Sequence, residues 1–175
     1  MAQKKTSKKK SSKLGLILTI VVIALAVLAF CMAFLTTVKF NYEILWNEVE
    51  ATFTGFQAMF GYEVTESIGL VEYTASYLGF ICLALLAFVL PLVGVVLTLL
   101  KNKIARIVGL CLMVVGGVLI FFVPSFAALA TVEGKLTAEA LVLEGATRVL
   151  GVGAILGGIF SLLGAGVAGY SIFKK

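Results

Sequence analysis

Four long stretches without a charged residue constrain this sequence more than any other feature. Each is at least 25 residues long, whereas a helix of about 20 apolar residues already crosses the ~30 Å hydrocarbon core of a bilayer. The stretches cover residues 14–38, 73–100, 107–132 and 149–173. We therefore predict an all-α integral membrane protein, a four-transmembrane-helix bundle with spans at 14–37, 78–100, 107–129 and 149–172.

The composition excludes a soluble globular domain. Of the 175 residues, 61% are hydrophobic and only 13% are charged, whereas soluble domains are about half apolar and about a quarter charged. Such a chain has too few charged residues to cover a water-facing exterior. Its mean hydropathy of +1.14 therefore indicates a lipid environment.

The charged residues are sorted by segment, and this sorting predicts the orientation. The N-terminal tail, the 101–106 link and the C-terminal end carry eleven Lys and Arg residues and no acid, while the other two connections hold all nine acids with only three Lys and Arg residues. Because Lys and Arg mark the cytoplasmic side, we expect both termini inside the cell and both long loops outside. The predicted segments outside the four spans are a basic cytoplasmic tail (1–13), a first extracellular loop (38–77), a cytoplasmic turn (101–106), a second extracellular loop (130–148) and a cytoplasmic end (173–175).

Cysteine usage and glycosylation signals bear on the compartment. Cys31, Cys82 and Cys111 all fall in predicted spans, and the sequence contains no Asn-x-Ser/Thr sequon. An outer domain held by disulfides is thereby excluded. The combination favours a multi-pass protein of a bacterial inner or plasma membrane over a eukaryotic one.

The first extracellular loop gives two competing patterns. Residues 38–46 alternate between apolar and polar, apart from Leu45, which predicts a half-buried strand. Beyond that point apolar residues recur every three or four positions, a spacing typical of an amphipathic helix that Gly55 or Gly61 would break or end. These residues are Leu45, Val49, Phe53, Phe56 and Phe60. The patterns overlap across 43–50, and we favour a short strand followed by a helix in a small outer cap.

The same loop is rich in aromatic residues. They are explained either by an interfacial belt with a small outer core or by an exposed patch that contacts a partner protein. The six possible partner contacts are Phe40, Tyr42, Trp46, Phe53, Phe56 and Phe60.

Two outer segments resemble each other at an offset of 72 residues. Thr65 is expected to cap a helix that runs into the second span, and Thr137 with Glu139 to cap the fourth. The matching residues are Thr65, Glu72, Leu78 and Gly79 with Thr137, Glu144, Leu150 and Gly151. The first and second pairs of spans would then be two in–out–in hairpins that arose by duplication, as in some transporters. So short a match leaves this question open.

The fourth span carries small residues at every fourth position. Small side chains let helix backbones approach closely where no hydrophobic effect drives helices together. This helix-packing ribbon consists of Gly153, Gly157, Ser161, Ala165 and Gly169, and it is expected to pack within the bundle or against a second copy. A shorter ribbon on the first span, at Ala29, Ala33 and Thr37, is its expected partner.

The connections and prolines predict further features of the bundle. The short 101–106 link makes the second and third spans antiparallel neighbours. Pro91 and Pro124 are expected to kink those two spans.

Most catalytic and ion-coupling chemistry is excluded. The sequence contains no His, which closes His-dependent catalysis and metal binding. No predicted span contains an ionisable residue of the kind that marks proton-coupled transport. We therefore predict no enzyme activity, catalytic residue, cofactor or metal site. The densest group of outer acids is explained better by solvation than by a bound cation, and comprises Glu48, Glu50, Glu63 and Glu66.

The expected partners are lipids and membrane proteins. The tail 1–13 holds six Lys residues and no apolar residue after Ala2, so we predict that it is disordered and attracts anionic lipid at about 1 kcal/mol per Lys. Nucleic-acid binding is not expected. A homo-oligomer or a membrane-protein partner remains open.

The layout of four spans with a long first loop resembles the topology of claudins and tetraspanins. Claudins carry a Trp–Gly–Leu–Trp motif followed by two cysteines in this loop, whereas here Trp46 stands without any loop cysteine, and tetraspanins place their large cysteine-rich loop second. The resemblance implies topology alone. We expect a structural, accessory or protein-interaction role, with a channel or transport-complex subunit as the alternative.

Overall fold

The structure of the protein, a computed structural model, describes residues 3–44, 46–68, 71–100, 102–127, 129, 131–132, 135–136 and 143–174. Most of these residues are helical, and short strands form three separate sheets. The helices are α1 (Gln3–Cys31, extended by a 3-10 turn at Met32–Phe34), α2 (Gly55–Phe60), α3 (Cys82–Leu99), α4 (Lys103–Phe121), α5 (Val123–Phe126) and α6 (Val152–Phe173). The strands are β1 (Thr36–Ile44), β2 (Asn47–Thr54), β3 (Tyr62–Ile68), β4 (Val71–Leu78), β5 (Thr131–Val132), β6 (Lys135–Leu136) and β7 (Thr147–Leu150).

The predicted number of four helices that could cross a membrane is confirmed. The segments that are long and apolar enough are Gly15–Phe34, Cys82–Leu99, Lys103–Phe121 and Val152–Phe173. They differ from the predicted spans at their ends because apolar residues near three of those ends belong to β1, β4 and β7. The third segment begins four residues earlier than predicted, so Arg106 lies in the first turn of α4 and not in a link. The prediction that the tail is disordered is wrong for residues 3–13, because they form the first turns of α1.

The four long helices pack as a ring in the order α1, α3, α4 and α6, with α6 returning to α1. Neighbours in the ring run antiparallel, and the predicted contact between the second and third spans is present. The backbones of α3 and α4 approach closely, because a methyl group on Gly94 of α3 would lie 2.6 Å from the carbonyl oxygen of Gly109 of α4. The interior of the ring is filled by small and medium side chains, among them Val22, Ala26, Val95, Met113, Ala165 and Ala168.

The helix directions place the connections at two opposite ends of the bundle. At the terminal end lie the start of α1, the link between α3 and α4, and the end of α6. The strands lie at the other end, the sheet end, where backbone hydrogen bonds join α2 to the start of α3 and β1 to the start of α6. Ile81 N donates to Met59 O at 3.0 Å, and Gly151 N donates to Thr37 O at 2.9 Å.

The prediction of an all-α fold is wrong, because the sheet end consists largely of antiparallel β structure. One sheet has the strand order β2–β1–β7, and β3–β4 and β5–β6 form two separate hairpins. The strand expected from residue 38 is present as β1. The helix expected after it begins only at Gly55, because β2 occupies the intervening residues.

The spacing in β2 explains why a helix was expected there. Val49 and Phe53 are four residues apart, which places them on one face of a helix and equally on one face of a strand, since side chains alternate along a strand. In the sheet Val49 pairs with Tyr42 and Phe53 pairs with Val38. The apolar faces of β1 and β2 thereby coincide, and this shared burial favours the strand.

Helix α2 is short and bounded on both sides. Thr54 and Gln57 form a capping box, in which Gln57 N donates to Thr54 Oγ1 at 3.3 Å and Thr54 N donates to Gln57 Oε1 at 2.8 Å. Gly61 ends the helix with a φ of 88°, a conformation that glycine adopts readily. Gly55 was considered a helix breaker, but it is the first residue of α2.

The helix that Thr65 was expected to cap is replaced by the β3–β4 hairpin. Thr65 lies opposite Thr74 in the register, and their hydroxyl oxygens are 3.3 Å apart. The reason is visible in β4, where apolar residues at 71, 73, 75 and 77 alternate with Glu72, Thr74 and Ser76 in the period of a strand. The cap expected at Thr137 and Glu139 lies outside the described residues.

Of the two prolines predicted to lie within spans, Pro91 does so and Pro124 does not. Pro91 lies inside α3, and its ring packs on α4 so closely that a methyl group on Gly116 would lie 2.5 Å from its Cδ. Pro124 lies beyond α4, near the start of α5, where its missing N–H costs no helical hydrogen bond. Pro124 therefore follows the third candidate span and cannot kink it.

Candidate interaction surface

The β1–β2 hairpin carries the single Trp of the chain at its tip. Ile44 pairs with Asn47, and Trp46 is the second of the two residues between them. Its side chain is 97% exposed. Its φ is 71°, a left-handed conformation that costs a bulky residue roughly 1–2 kcal/mol. Two-residue hairpin loops normally place Gly or Asn at such positions, so Trp46 occupies a strained site without any gain from packing.

The hairpin holds this tip away from the helices. The strand from Thr36 to Ile44 follows α1 almost directly, and at about 3.3 Å per residue it extends roughly 26 Å along its axis. Its apolar face is fixed to the sheet end by Phe40 and Phe53, whose rings meet edge to face at 5.7 Å. The two rings are buried in the core that also contains Phe88 of α3. The exposed tip is thus mounted on a rigid base.

The opposite face of the hairpin is polar and acidic. Glu43 and Glu48 lie directly opposite each other in the register, an arrangement of like charges that destabilises a sheet. Glu50 is paired with Lys39, whose Nζ donates to Glu50 Oε1 at 2.6 Å. Together with Asn41, these carboxylates border an open concavity of about 680 Å³. In the described part of the chain, no group of three or more His, Cys, Asp or Glu residues is placed to hold a metal ion.

The structure separates the six aromatics that were predicted as possible partner contacts. Phe40 and Phe53 are buried in the core, which leaves them nothing to offer a partner. Tyr42 and Phe56 are partly buried. Only Trp46 and Phe60 are exposed, Phe60 to 58%. Sequence alone could not separate them, because buried and exposed aromatics share the same strand period.

Phe60 belongs to a separate aromatic cluster at the junction of α1 and α2. Phe56 contacts Phe34 at a ring distance of 4.5 Å, Phe30 at 6.0 Å and Phe60 at 6.1 Å. Phe34 and Phe60 are exposed; Phe34 ends the first candidate span, and Phe60 lies near it through Phe56. Such a position is typical of an aromatic belt at a membrane surface, which distinguishes Phe60 from Trp46.

The small-residue ribbon of α6 lies inside the bundle. Gly153, Gly157, Ser161 and Ala165 are buried, and Gly169 is partly buried. Gly153 and Gly157 lie against α1, and Ser161 Oγ donates to the carbonyl oxygen of Met113 of α4 at 2.9 Å. This face is occupied by helices of the same chain, so it is not open to a second copy.

Other close-packing glycines were missed at the sequence level. Gly158 and Gly164 of α6 lie beside the ribbon, where added methyl groups would meet Phe121 at 2.4 Å and Met113 Cε at 2.9 Å. Gly94 and Gly109 form the equivalent contact between α3 and α4. The sequence does contain a signal for this contact. Gly94 and Gly109 lie at similar distances before and after the link between α3 and α4, so two antiparallel helices bring them together.

The carboxylates of the sheet end include two more whose exposure the structure describes. Glu63 is exposed on β3 and Glu144 is exposed before β7, and the side chain of Glu66 lies outside the described ones. The predictions of no catalytic residue and no cofactor stay predictions. No protein-family model, curated protein or solved structure matches this sequence.

Proposed function

We propose that the chain is a multi-pass plasma-membrane protein with a structural, accessory or protein-interaction role, and that it contacts its partner through Trp46 at the tip of the β1–β2 hairpin. The observation that carries the proposal is the combination of a φ of 71° and an exposure of 97% at this residue. A strained, solvated indole lowers stability, and Trp is one of the side chains enriched in the energetically dominant contacts of protein interfaces.

The proposed orientation places the sheet end outside the cell and both termini in the cytoplasm. It is supported by the eleven Lys and Arg residues in the tail, the 101–106 segment and the C-terminal end, since positive charge is retained on the cytoplasmic side. The absence of loop cysteines and sequons supports a bacterial plasma membrane. In this orientation the hairpin would present Trp46 to extracytoplasmic proteins.

The acidic face beside the tip favours a basic partner surface. Glu43 and Glu48 oppose each other, and neither forms a salt bridge with a Lys or Arg that the structure describes. Lys or Arg groups on a partner would relieve that repulsion. We therefore expect the interaction to weaken with increasing salt, because exposed charge pairs are screened.

The alternative of a channel or transport-complex subunit receives less support. A pore in this bundle would have to be lined by hydroxyls, because the ring interior is otherwise apolar. Ser161 donates its proton to Met113 O, Thr19 to Gly15 O and Thr98 to Val95 O. With their protons donated to helix backbones, these few hydroxyls could offer a permeating ion only their oxygen lone pairs.

Site-specific photo-crosslinking in native membranes tests the proposal. A photoreactive phenylalanine analogue is placed at Trp46 in one protein and, as control, at Thr52, which is also exposed and lies on the same hairpin near its base. We expect a discrete adduct from position 46 that decreases with salt, and none from position 52. The absence of an adduct at position 46, or equal adducts from both positions, would contradict the proposed contact.

A further inference from the structure

A small polar cavity lies at the terminal end of the bundle, where all four long helices meet. Its volume is about 30 Å³. Each helix contributes one polar side chain to its lining, and apolar residues complete the wall. The four polar residues are Thr19 of α1, Thr98 of α3, Arg106 of α4 and Ser171 of α6.

Arg106 is partly buried at this cavity without a counter-charge. Its side chain makes no ion pair or hydrogen bond with any residue that the structure describes. All nine acids of the sequence fall between residues 43 and 72 or between 133 and 144, in the two connections of the sheet end. A guanidinium that is partly withdrawn from water without an anion is unfavourable. Because none of the nine acidic side chains belongs to this end of the bundle, an anion from outside the chain would neutralise Arg106.

The hydroxyls around Arg106 divide into acceptors and a donor. Thr19 Oγ1 donates to Gly15 O at 3.0 Å, and Thr98 Oγ1 donates to Val95 O at 2.7 Å. With their protons committed, these oxygens can only accept, for example from a guanidinium N–H. Ser171 makes no hydrogen bond with a described residue, so its hydroxyl is available to donate to an anion. Together with the fork of Arg106, this set suits a phosphate oxygen.

The size and surroundings of the cavity select the kind of phosphate. A volume of about 30 Å³ holds only one or two water-sized groups, so no sugar or base can enter and a phosphate must sit at the mouth. Next to Arg106 on α4, Ile104 is 71% exposed and Ile107 and Val108 are also exposed. These side chains are suited to acyl chains. A phospholipid supplies a phosphate and acyl chains in one molecule.

We propose that Arg106, with Ser171, binds the phosphate of an anionic phospholipid in the leaflet at the terminal end of the bundle. Basic pockets between membrane helices bind lipid head groups in this way. The proposal rests on the four helices crossing a membrane and is independent of any role for Trp46. It also differs from the general attraction of lipid to the Lys-rich tail, because it assigns one site to one guanidinium.

Lipid titration of the purified full-length chain tests the site. The protein in detergent is titrated with phosphatidylglycerol or phosphatidylcholine, and bound lipid is counted by native mass spectrometry at about 0.5 M salt, where exposed charges are screened within about 5 Å. Arg106→Gln is expected to weaken phosphatidylglycerol binding by about tenfold or more, as for loss of a charge-assisted contact. The control Lys103→Gln removes an exposed charge one turn away and is expected to change binding less than about twofold.

A second variant and three comparisons give the results that would overturn the proposal. Arg106→Lys keeps the charge but loses the planar fork, so it is expected to bind phosphatidylglycerol more weakly than wild type, and it replaces Arg106→Gln if that variant does not fold. Wild-type affinity in the Lys variant would overturn the assignment. So would equal losses in the Arg106 and Lys103 variants, or equal binding of both lipids by the wild type. Binding of inorganic phosphate alone as tightly as phosphatidylglycerol would identify an ion site and overturn the lipid assignment.

Discussion

Replacement of Gly153 by Ala tests how closely α6 approaches α1, because Gly166 on the same helix provides a matched control. A methyl group on Gly153 would lie 2.6 Å from Met32 O, 2.9 Å from Leu35 O and 3.0 Å from Thr36 O. A methyl group on Gly166 would have no neighbour within 4 Å. The two substitutions are chemically identical and differ only in what the new methyl group contacts.

The expected cost follows from the nature of those contacts. All three atoms near Gly153 are backbone oxygens at the end of α1 and the start of β1, and backbone atoms cannot rotate away as a side chain can. Overpacking of this kind costs about 1–3 kcal/mol, while the gain in helix propensity from Gly to Ala is the same at both sites. Because 1 kcal/mol shifts the Tm of a chain of this size by about 2–4 °C, Gly153→Ala should melt roughly 2–12 °C below Gly166→Ala.

Thermal unfolding followed by far-ultraviolet circular dichroism, with both variants and the wild type in the same detergent, measures this difference. Gly166→Ala is expected to melt at or slightly above the wild-type temperature, since it fills open space on the lipid side. Equal melting temperatures for the two variants would refute the close contact between α6 and α1 at Gly153.

Three further substitutions give expected outcomes that the same melting experiment checks. Trp46→Asn should leave the Tm unchanged or raise it by about 2–4 °C, because Asn tolerates a positive φ and an exposed indole contributes almost no burial; a marked fall in Tm would contradict the strain assigned to Trp46. Ser161→Ala removes the hydrogen bond to Met113 and should cost about 0.6–1.7 kcal/mol, and an unchanged Tm would show that the bond carries no stability. Gly61→Ala should cost about 1–3 kcal/mol, because the φ of 88° is unfavourable for Ala and the methyl group would lie 2.7 Å from Leu78 O, whereas a neutral effect would argue against this turn geometry.

The number of long helices could be predicted from the sequence because charge-free length is a direct physical requirement of a membrane span. Their ends could not. Val38, Leu78 and Leu150 are as apolar as the residues in the helices, but they belong to strands whose apolar faces pack on the helix ends. Hydropathy predicts that a side chain is buried, but it does not distinguish burial in lipid from burial in a small protein core.

The strand content was underestimated for a related reason. Val49 and Phe53 satisfy helix and strand periods equally, and Thr65 followed by Glu66 matches the start of a helix as well as it matches β3. What decides between these structures is pairing with a distant strand. For β1 that includes β7, where Val38 pairs with Leu150, more than 100 residues away in the sequence.

The candidate surface could be narrowed to one loop from the sequence but not to one residue. The aromatic pattern marked six positions as equivalent, and only the fold buries Phe40 and Phe53 while leaving Trp46 at the hairpin tip. Arg106 was assigned to a link because charge was taken as the end of a span. Its position within α4 depends on packing at the terminal end, which local sequence does not encode.

Cysteine labelling tests the proposed transmembrane orientation most directly. In a chain with Cys31, Cys82 and Cys111 replaced by Ala, a single cysteine is introduced at Gly145, an exposed residue of the sheet end with open space around it, or at Lys174, an exposed residue of the terminal end. Intact cells are then treated with a membrane-impermeant maleimide. We predict labelling at residue 145 in intact cells and at residue 174 only after permeabilisation. Labelling of residue 174 in intact cells, or of both residues from the same side, would contradict a bundle that crosses the membrane with its sheets outside.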